Sequence, residues 1–123
     1  NSKGITVWIH AWWSREGIDK SIGEENIIRW WKYVVHRLHA YNVIWVVAGE
    51  YNMNNYGGFP LEFWNRLGQI IKDEDPCQRI TGAHPTPPMW SGGADAPQWS
   101  TAEAIHSQAW LDYNQSQTGH ARW

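Results

Sequence analysis

NVIWVVAGE, residues 42–50, is the stretch on which the reading of this chain turns. From Val43 to Gly49 it holds no charged or amide side chain and is rich in β-branched residues. That pattern suits a strand covered on both faces, as parallel strands under crossover helices are. It closes on Glu50, which puts a carboxylate at the strand's C-terminal end. Upstream, Lys3 to His10 (KGITVWIH) is a second short apolar and β-branched run, leading into the polar and aromatic loop Ala11-Trp12-Trp13-Ser14. Downstream, Arg79 to Ala83 (RITGA) reads as a third strand ending at His84-Pro85. Leu111 to Gln117 (LDYNQSQ) reads as a fourth, more polar strand that ends near Gly119-His120.

Helical patterns fill the intervals. Ser21-Ile22-Gly23-Glu24 fits a capping box, and Ile27, Ile28, Trp31, Val34, Val35 and Leu38 then recur on one helical face. After the polar loop Tyr51 to Gly58, Pro60 suits the first turn of a second helix. Its apolar face is Phe63, Trp64, Leu67, Ile70 and Ile71, and Pro76 stops it. Thr86 to Gln98 is a loop rich in Pro, Gly and Trp, of a length that usually signals function in a compact domain. Ser100-Thr101-Ala102-Glu103 repeats the capping-box pattern and predicts a short helix through about Trp110.

Strands alternating with helices predict the α/β class, with a parallel sheet and right-handed crossovers. A (β/α)8 TIM barrel of about 250 residues spends roughly 31 on each unit, and strand starts near Lys3, Asn42, Arg79 and Leu111 are spaced comparably. Four units account for the chain and cannot close a barrel, which leaves part of a barrel or a small open sheet. No GxGxxG or GxxxxGK follows a strand, which counts against a doubly wound nucleotide-binding fold. The chain begins at Asn1 without methionine or a leader-like segment and stops at Trp123 after a strand-like stretch. We therefore read residues 1–123 as one partial domain, an internal piece of a longer protein.

Composition narrows the function classes. With 42% hydrophobic and 18% charged residues, a core can form and the disordered classes are excluded. A net charge of −2 without a Lys/Arg block argues against nucleic acid or an anionic membrane as partner. The longest apolar run, Val43 to Gly49, is too short to span a bilayer. Cys77 stands alone, so no internal disulfide is possible, and with no apparent base nearby it reads as inert.

In barrel enzymes the reacting groups sit at the C-terminal ends of the strands. Those ends carry His10 with Trp12 and Trp13, Glu50 with Asn52, His84, and Gln117 with His120. A carboxyl group beside amide, imidazole and indole groups suits sugar chemistry. It supplies an acid for the leaving oxygen, hydrogen bonds for hydroxyls and flat apolar faces for the ring. Each residue also has a structural reading. Glu50 could be a solvated loop residue, and His10, His84 and His120 could be structural or three ligands of a metal, although HxH and HExxH spacings are absent. Trp31, Trp45 and Trp64 fall on core stripes. Trp12, Trp13, Trp90 and Trp99 fall in loops, as sugar platforms or as hydrophobic plugs. Glu24, Glu25 and Asp73 to Asp75 read as solvated charges at helix ends.

Three separated motifs, YNVIWVVAGEYN at 41–52, His84-Pro85, and WLDYN at 110–114 with Gln117-Thr118-Gly119-His120, together resemble the apiosidase-like glycoside hydrolases. The likeness covers nearly the whole chain. It implies a (β/α)8 barrel of a retaining glycosidase clan, with an acid/base carboxyl after strand four and a nucleophilic glutamate after strand seven. The strands here would then be roughly three to six, and Glu50 falls on the acid/base position. Many relatives have aspartate there, and the Asn-Glu pair common in the clan is Gly49-Glu50 here. The nucleophile would lie beyond Trp123, so these residues alone should be inactive. The expected substrate is a plant or microbial polysaccharide, contacted by His10, Asn52, His84, Gln117 and His120 and stacked on Trp12 and Trp13. No cofactor is called for, and members of the family are often secreted or periplasmic. The alternatives are a non-catalytic carbohydrate-binding module, or a metal-dependent barrel hydrolase using His10, His84 and His120. Four strands with two open edges should also leave apolar surface uncovered, so the isolated piece is expected to self-associate.

Overall fold

A computed structural model describes residues 3–14, 16–53, 59–87 and 100–117. The element order is β1 (Val7–Ile9), α1 (Glu16–Ile22), α2 (Glu24–Leu38), β2 (Val43–Gly49), α3 (Leu61–Glu74), β3 (Thr81–His84) and α4 (Thr101–Ala104). The three strands form one sheet in the order β1-β2-β3, and both pairings are parallel. Val7, Trp8 and Ile9 pair with Val43, Ile44 and Trp45, while Trp45 and Val46 pair with Thr81 and Gly82. The α/β class and the parallel sheet are as the sequence predicts.

β2 is central because it can be buried from end to end. Trp45, Val46, Val47 and Ala48 are all 0% exposed. α2 and α3 cover one side of it, with Ile27, Trp31 and Val35 from α2 and Phe63, Trp64, Leu67 and Ile71 from α3 in a single apolar cluster with Trp45 and Val47. Trp31 meets Trp45 edge to face at 6.3 Å and 89°, a geometry the indole quadrupoles favour. Gly68 on α3 makes room for the buried Trp110: a Cβ there would lie 2.4 Å from the indole. Ile28, Leu38 and Ile70 lie on the margins of the predicted stripes and are half-buried.

Several sequence expectations require correction. Ser21 is not a cap. It lies in the last turn of α1, where its hydroxyl donates to the Ile18 carbonyl oxygen at 2.8 Å, and α2 instead begins after Gly23 at φ 80°. That left-handed turn, natural to glycine, separates two helices where one was expected. Ser100 does cap α4, accepting from the Ala102 N–H at 3.2 Å, but the helix ends at Ala104 rather than near Trp110. The expected fourth strand does not join the sheet. Asp112 closes that edge of β3: its N–H donates to the Thr81 carbonyl at 2.9 Å and its carboxylate accepts the Thr81 N–H at 2.8 Å, bonds that a neighbouring strand would otherwise make. Residues 111–117 still alternate between half-buried and exposed, which is why they look strand-like in sequence.

The opposite edge is open. β1 is three residues long, and Ile5, Val7 and Trp8 are 59%, 49% and 51% exposed. Beside it runs an apolar groove of about 500 Å³ lined by Ile5, Val7, Ile9, Leu38, Tyr41 and Val43 among others. Among the described residues no helix is long and apolar enough to cross a membrane.

Candidate active site

Beyond β1 the backbone rejoins β2 at one further bridge, Trp13 with Gly49, made by Gly49 N–H to the Trp12 carbonyl at 3.0 Å and Ser14 N–H to the Gly49 carbonyl at 2.9 Å. This clamp brings the loop after β1 over the end of β2. Gly49 is required there, because a Cβ would lie 2.2 Å from the Trp13 ring. Glu50 follows at φ 52°, a backbone conformation that costs a non-glycine residue roughly 1 kcal/mol or more. Its side chain is 7% exposed, so the solvated-loop reading does not hold. The indole Nε1 of Trp13 donates to Oε2 at 3.4 Å and the amide Nε2 of Gln117 donates to Oε1 at 3.3 Å. Both bonds are long and come from neutral donors.

The neighbouring strand ends supply two imidazoles. His10 and His84 meet edge to face at 5.5 Å, and Trp13 lies 6.1 Å from the His10 ring and 5.5 Å from the His84 ring. Burial, and then the His84 charge, hold the His10 pKa below the usual imidazole value, so His10 favours its neutral form. Its Nδ1 is buried and has no hydrogen-bond partner among the described residues. The His84 Nδ1 lies 2.5 Å from the amide Nε2 of Gln115.

The structure thus gathers Glu50, His10, Trp13, His84 and Gln117 at one end of the sheet, the C-terminal end of its strands. Asn52 stands next to this group, and its carbonyl oxygen accepts from both the N–H and the hydroxyl of Thr86 at 2.8 Å, tying the loop after β2 to the one after β3. Trp12 is engaged otherwise: its indole N–H donates to Asp19 at 2.9 Å, and Ser14 donates to the same carboxylate at 2.8 Å. Both anchor α1 through its buried Asp19. His120, Trp90 and Trp99 lie outside the described residues. Among the described residues no three His, Cys, Asp or Glu side chains converge in metal-ligating geometry. Gln115 and Tyr113 are site-forming residues that the sequence reading passed over; their alternation with exposed Asp112, Asn114 and Ser116 is the available signal.

A family profile described as "Apiosidase-like, catalytic domain" matches residues 1–123. The chain belongs to the apiosidase-like catalytic-domain family. The family likeness that the three motifs carry thus holds over residues 1–123. Among solved structures, a glycoside hydrolase family 5 protein from Bacteroides vulgatus ATCC 8482 superposes with a TM-score of 0.61 at 23% identity, over 81% of this chain and 19% of that one. The likeness shows the fold, a portion of a TIM barrel, and this chain spans about a fifth of that protein's length. No curated protein sequence matches the chain. On a barrel the C-terminal ends of the strands form the face where catalysis is found. Glu50 of this apiosidase-like chain ends β2 on that face.

Proposed function

We propose that the protein carrying this chain is a retaining glycoside hydrolase acting on a plant or microbial polysaccharide, with Glu50 as its general acid and base. The observation that carries the reading is a buried carboxyl group at the C-terminal end of the central strand, held by Trp13 and Gln117 beside two imidazoles. In the first half-reaction the Glu50 carboxyl donates its proton to the glycosidic oxygen while a second carboxylate attacks the anomeric carbon. In the second half-reaction the Glu50 carboxylate takes a proton from water as the water displaces that carboxylate. A retaining pair stands about 5–5.5 Å apart. The partner glutamate would come from outside residues 1–123, after a seventh strand, with the strands here being roughly three to six. The 123 residues by themselves would then be inactive.

The remaining residues fit a sugar. His10, with its buried Nδ1 unpartnered among the described residues, gains a hydrogen bond when a hydroxyl approaches. Trp13, 44% exposed, offers a flat apolar face next to the acid. His84, Asn52, Gln117 and His120 are further proposed contacts. Trp12, tied to Asp19, serves by holding the loop that presents Trp13.

The test is Glu50→Gln in the intact protein. Turnover of substrates with poor leaving groups should fall by about 10²–10⁴-fold, the usual worth of a positioned acid or base. Activated aryl glycosides should lose much less in the glycosylation step. Unchanged turnover ends the assignment. Sugar binding by both versions with turnover by neither would make the carbohydrate-binding module the better reading.

A further inference from the structure

α1 has little apolar surface with which to hold its place. It is seven residues long, its Ile18 and Ile22 are 49% and 38% exposed, and among its described side chains only Asp19 is buried, at 0% exposure. A carboxylate taken out of water is costly unless its oxygens are well bonded, so its partners show what it is for. One oxygen accepts from the Trp12 indole N–H at 2.9 Å and the other from the Ser14 hydroxyl at 2.8 Å. The Asp19 backbone carbonyl accepts the Gly23 N–H at 2.9 Å, at the left-handed turn into α2. The carboxylate is thus joined through α1 to the long helix packed on the sheet.

Trp12 and Ser14 flank Trp13, and each is used twice. Their side chains grip Asp19, while their backbones grip Gly49: the Trp12 carbonyl accepts the Gly49 N–H at 3.0 Å and the Ser14 N–H donates to the Gly49 carbonyl at 2.9 Å. Between these attachments the Trp13 ring lies over Gly49, where a Cβ would stand 2.2 Å from it, and its Nε1 reaches Oε2 of Glu50 at 3.4 Å. Trp13 is 44% exposed, so packing on one side only cannot lock the ring. A backbone bridge alone leaves a loop free to twist about it, and two side-chain bonds to a fixed carboxylate remove that freedom. We propose that Asp19 is a positioning residue for Glu50: its carboxylate clamps the side chains on both sides of Trp13 and so fixes the indole that aims the Glu50 carboxyl. The proposal rests on the hydrolytic reading for the work that carboxyl does, and not for the clamp itself.

The test is spectroscopic and needs no substrate, so it can fail independently of the turnover test on Glu50→Gln. In the intact protein labelled with ¹⁵N-tryptophan, the Trp13 indole N–H is assigned by Trp13→Phe. Glu50→Gln should move that cross-peak, because a bond to a carboxyl group is replaced by one to an amide. Asp19→Ala with Glu50 in place should move it as well, and adding Glu50→Gln to Asp19→Ala should then move it no further. Ser14→Ala and Trp12→Phe each remove one of the two bonds to Asp19. Each should reduce the response to Glu50→Gln, and they carry the test if Asp19→Ala does not fold. A merely structural Asp19 would lower the unfolding midpoint and leave the response to Glu50→Gln whole in all three variants, which overturns the proposal. So does a Trp13 cross-peak that ignores Glu50→Gln when Asp19 is in place.

Discussion

Glu50 and Asp75 are two buried carboxylates at opposite ends of the same sheet, and the protein treats them differently. Asp75 ends α3 ahead of β3 and is 0% exposed. It accepts from the Trp45 indole at 2.8 Å, from the Cys77 N–H at 2.9 Å and from the Arg79 N–H at 2.8 Å, bonds of full strength. Glu50, at the other end of β2, accepts bonds of 3.4 and 3.3 Å among the described residues and has a left-handed backbone. One carboxylate is saturated and fastens the N-terminal side of the barrel segment. The other, among the described residues, has two long bonds from neutral donors and a left-handed backbone, on the C-terminal face of the sheet.

The contrast breaks most visibly at Asp75. Asp75→Ala would leave a buried indole N–H and two backbone donors to find new partners, and should cost about 3–5 kcal/mol. Urea unfolding of the intact protein measures it, and a loss below about 1 kcal/mol would show that the hub is not structural. Gly68→Ala comes next. It drives a methyl into the Trp110 indole at 2.4 Å, and the overpacking should cost about 1–3 kcal/mol by the same measurement.

At the Glu50 end the expected effects fall on rate instead. Trp13→Phe keeps a ring over Gly49 and removes the N–H that reaches Oε2. With Glu50 as the proposed acid, kcat of the intact protein should drop about tenfold as its carboxyl loses its aim, with a much smaller change in unfolding midpoint. A large stability loss with normal kcat would assign Trp13 to packing alone.

Much of this contrast is hidden from the sequence. β2 and the stripes on α2 and α3 are legible because burial by neighbours one turn or one pleat away writes a period into the chain, and Glu50 is legible as the residue that ends such a run. Asp75 reads as a solvated helix-end charge because its decisive partner, Trp45, is 30 residues distant. α1 escapes for a similar reason. Among its described side chains only Asp19 is buried, so there is no apolar stripe to find, and its partners Trp12 and Ser14 precede the helix. Gln115 gains its meaning from His84, 31 residues away. Apolar packing leaves a local pattern, whereas a polar pair formed across the fold leaves none.

The smallest expected effect is a pH dependence that the two ends should divide between them. His10 has its folded pKa below the ordinary value of 6.5, chiefly through burial and then through His84. Between that lower value and 6.5 the unfolded chain binds the proton that the folded chain refuses. Folding stability from this group is therefore complete above 6.5 and declines as the pH falls through 6.5 toward the folded value. Loss of the neighbouring Glu74 carboxylate's bonds, to Lys32 first and also to His36, belongs to a lower range, because the Lys32 bond holds the Glu74 pKa below the ordinary carboxyl value of about 4. Unfolding midpoints of the intact protein followed downward from about pH 8 should thus show a shallow first decline that His10→Gln removes and a steeper acid limb that it leaves in place. A first decline unaltered in His10→Gln would mean that the imidazole at the end of β1 is hydrated in the folded protein and that its burial does not set the pH dependence.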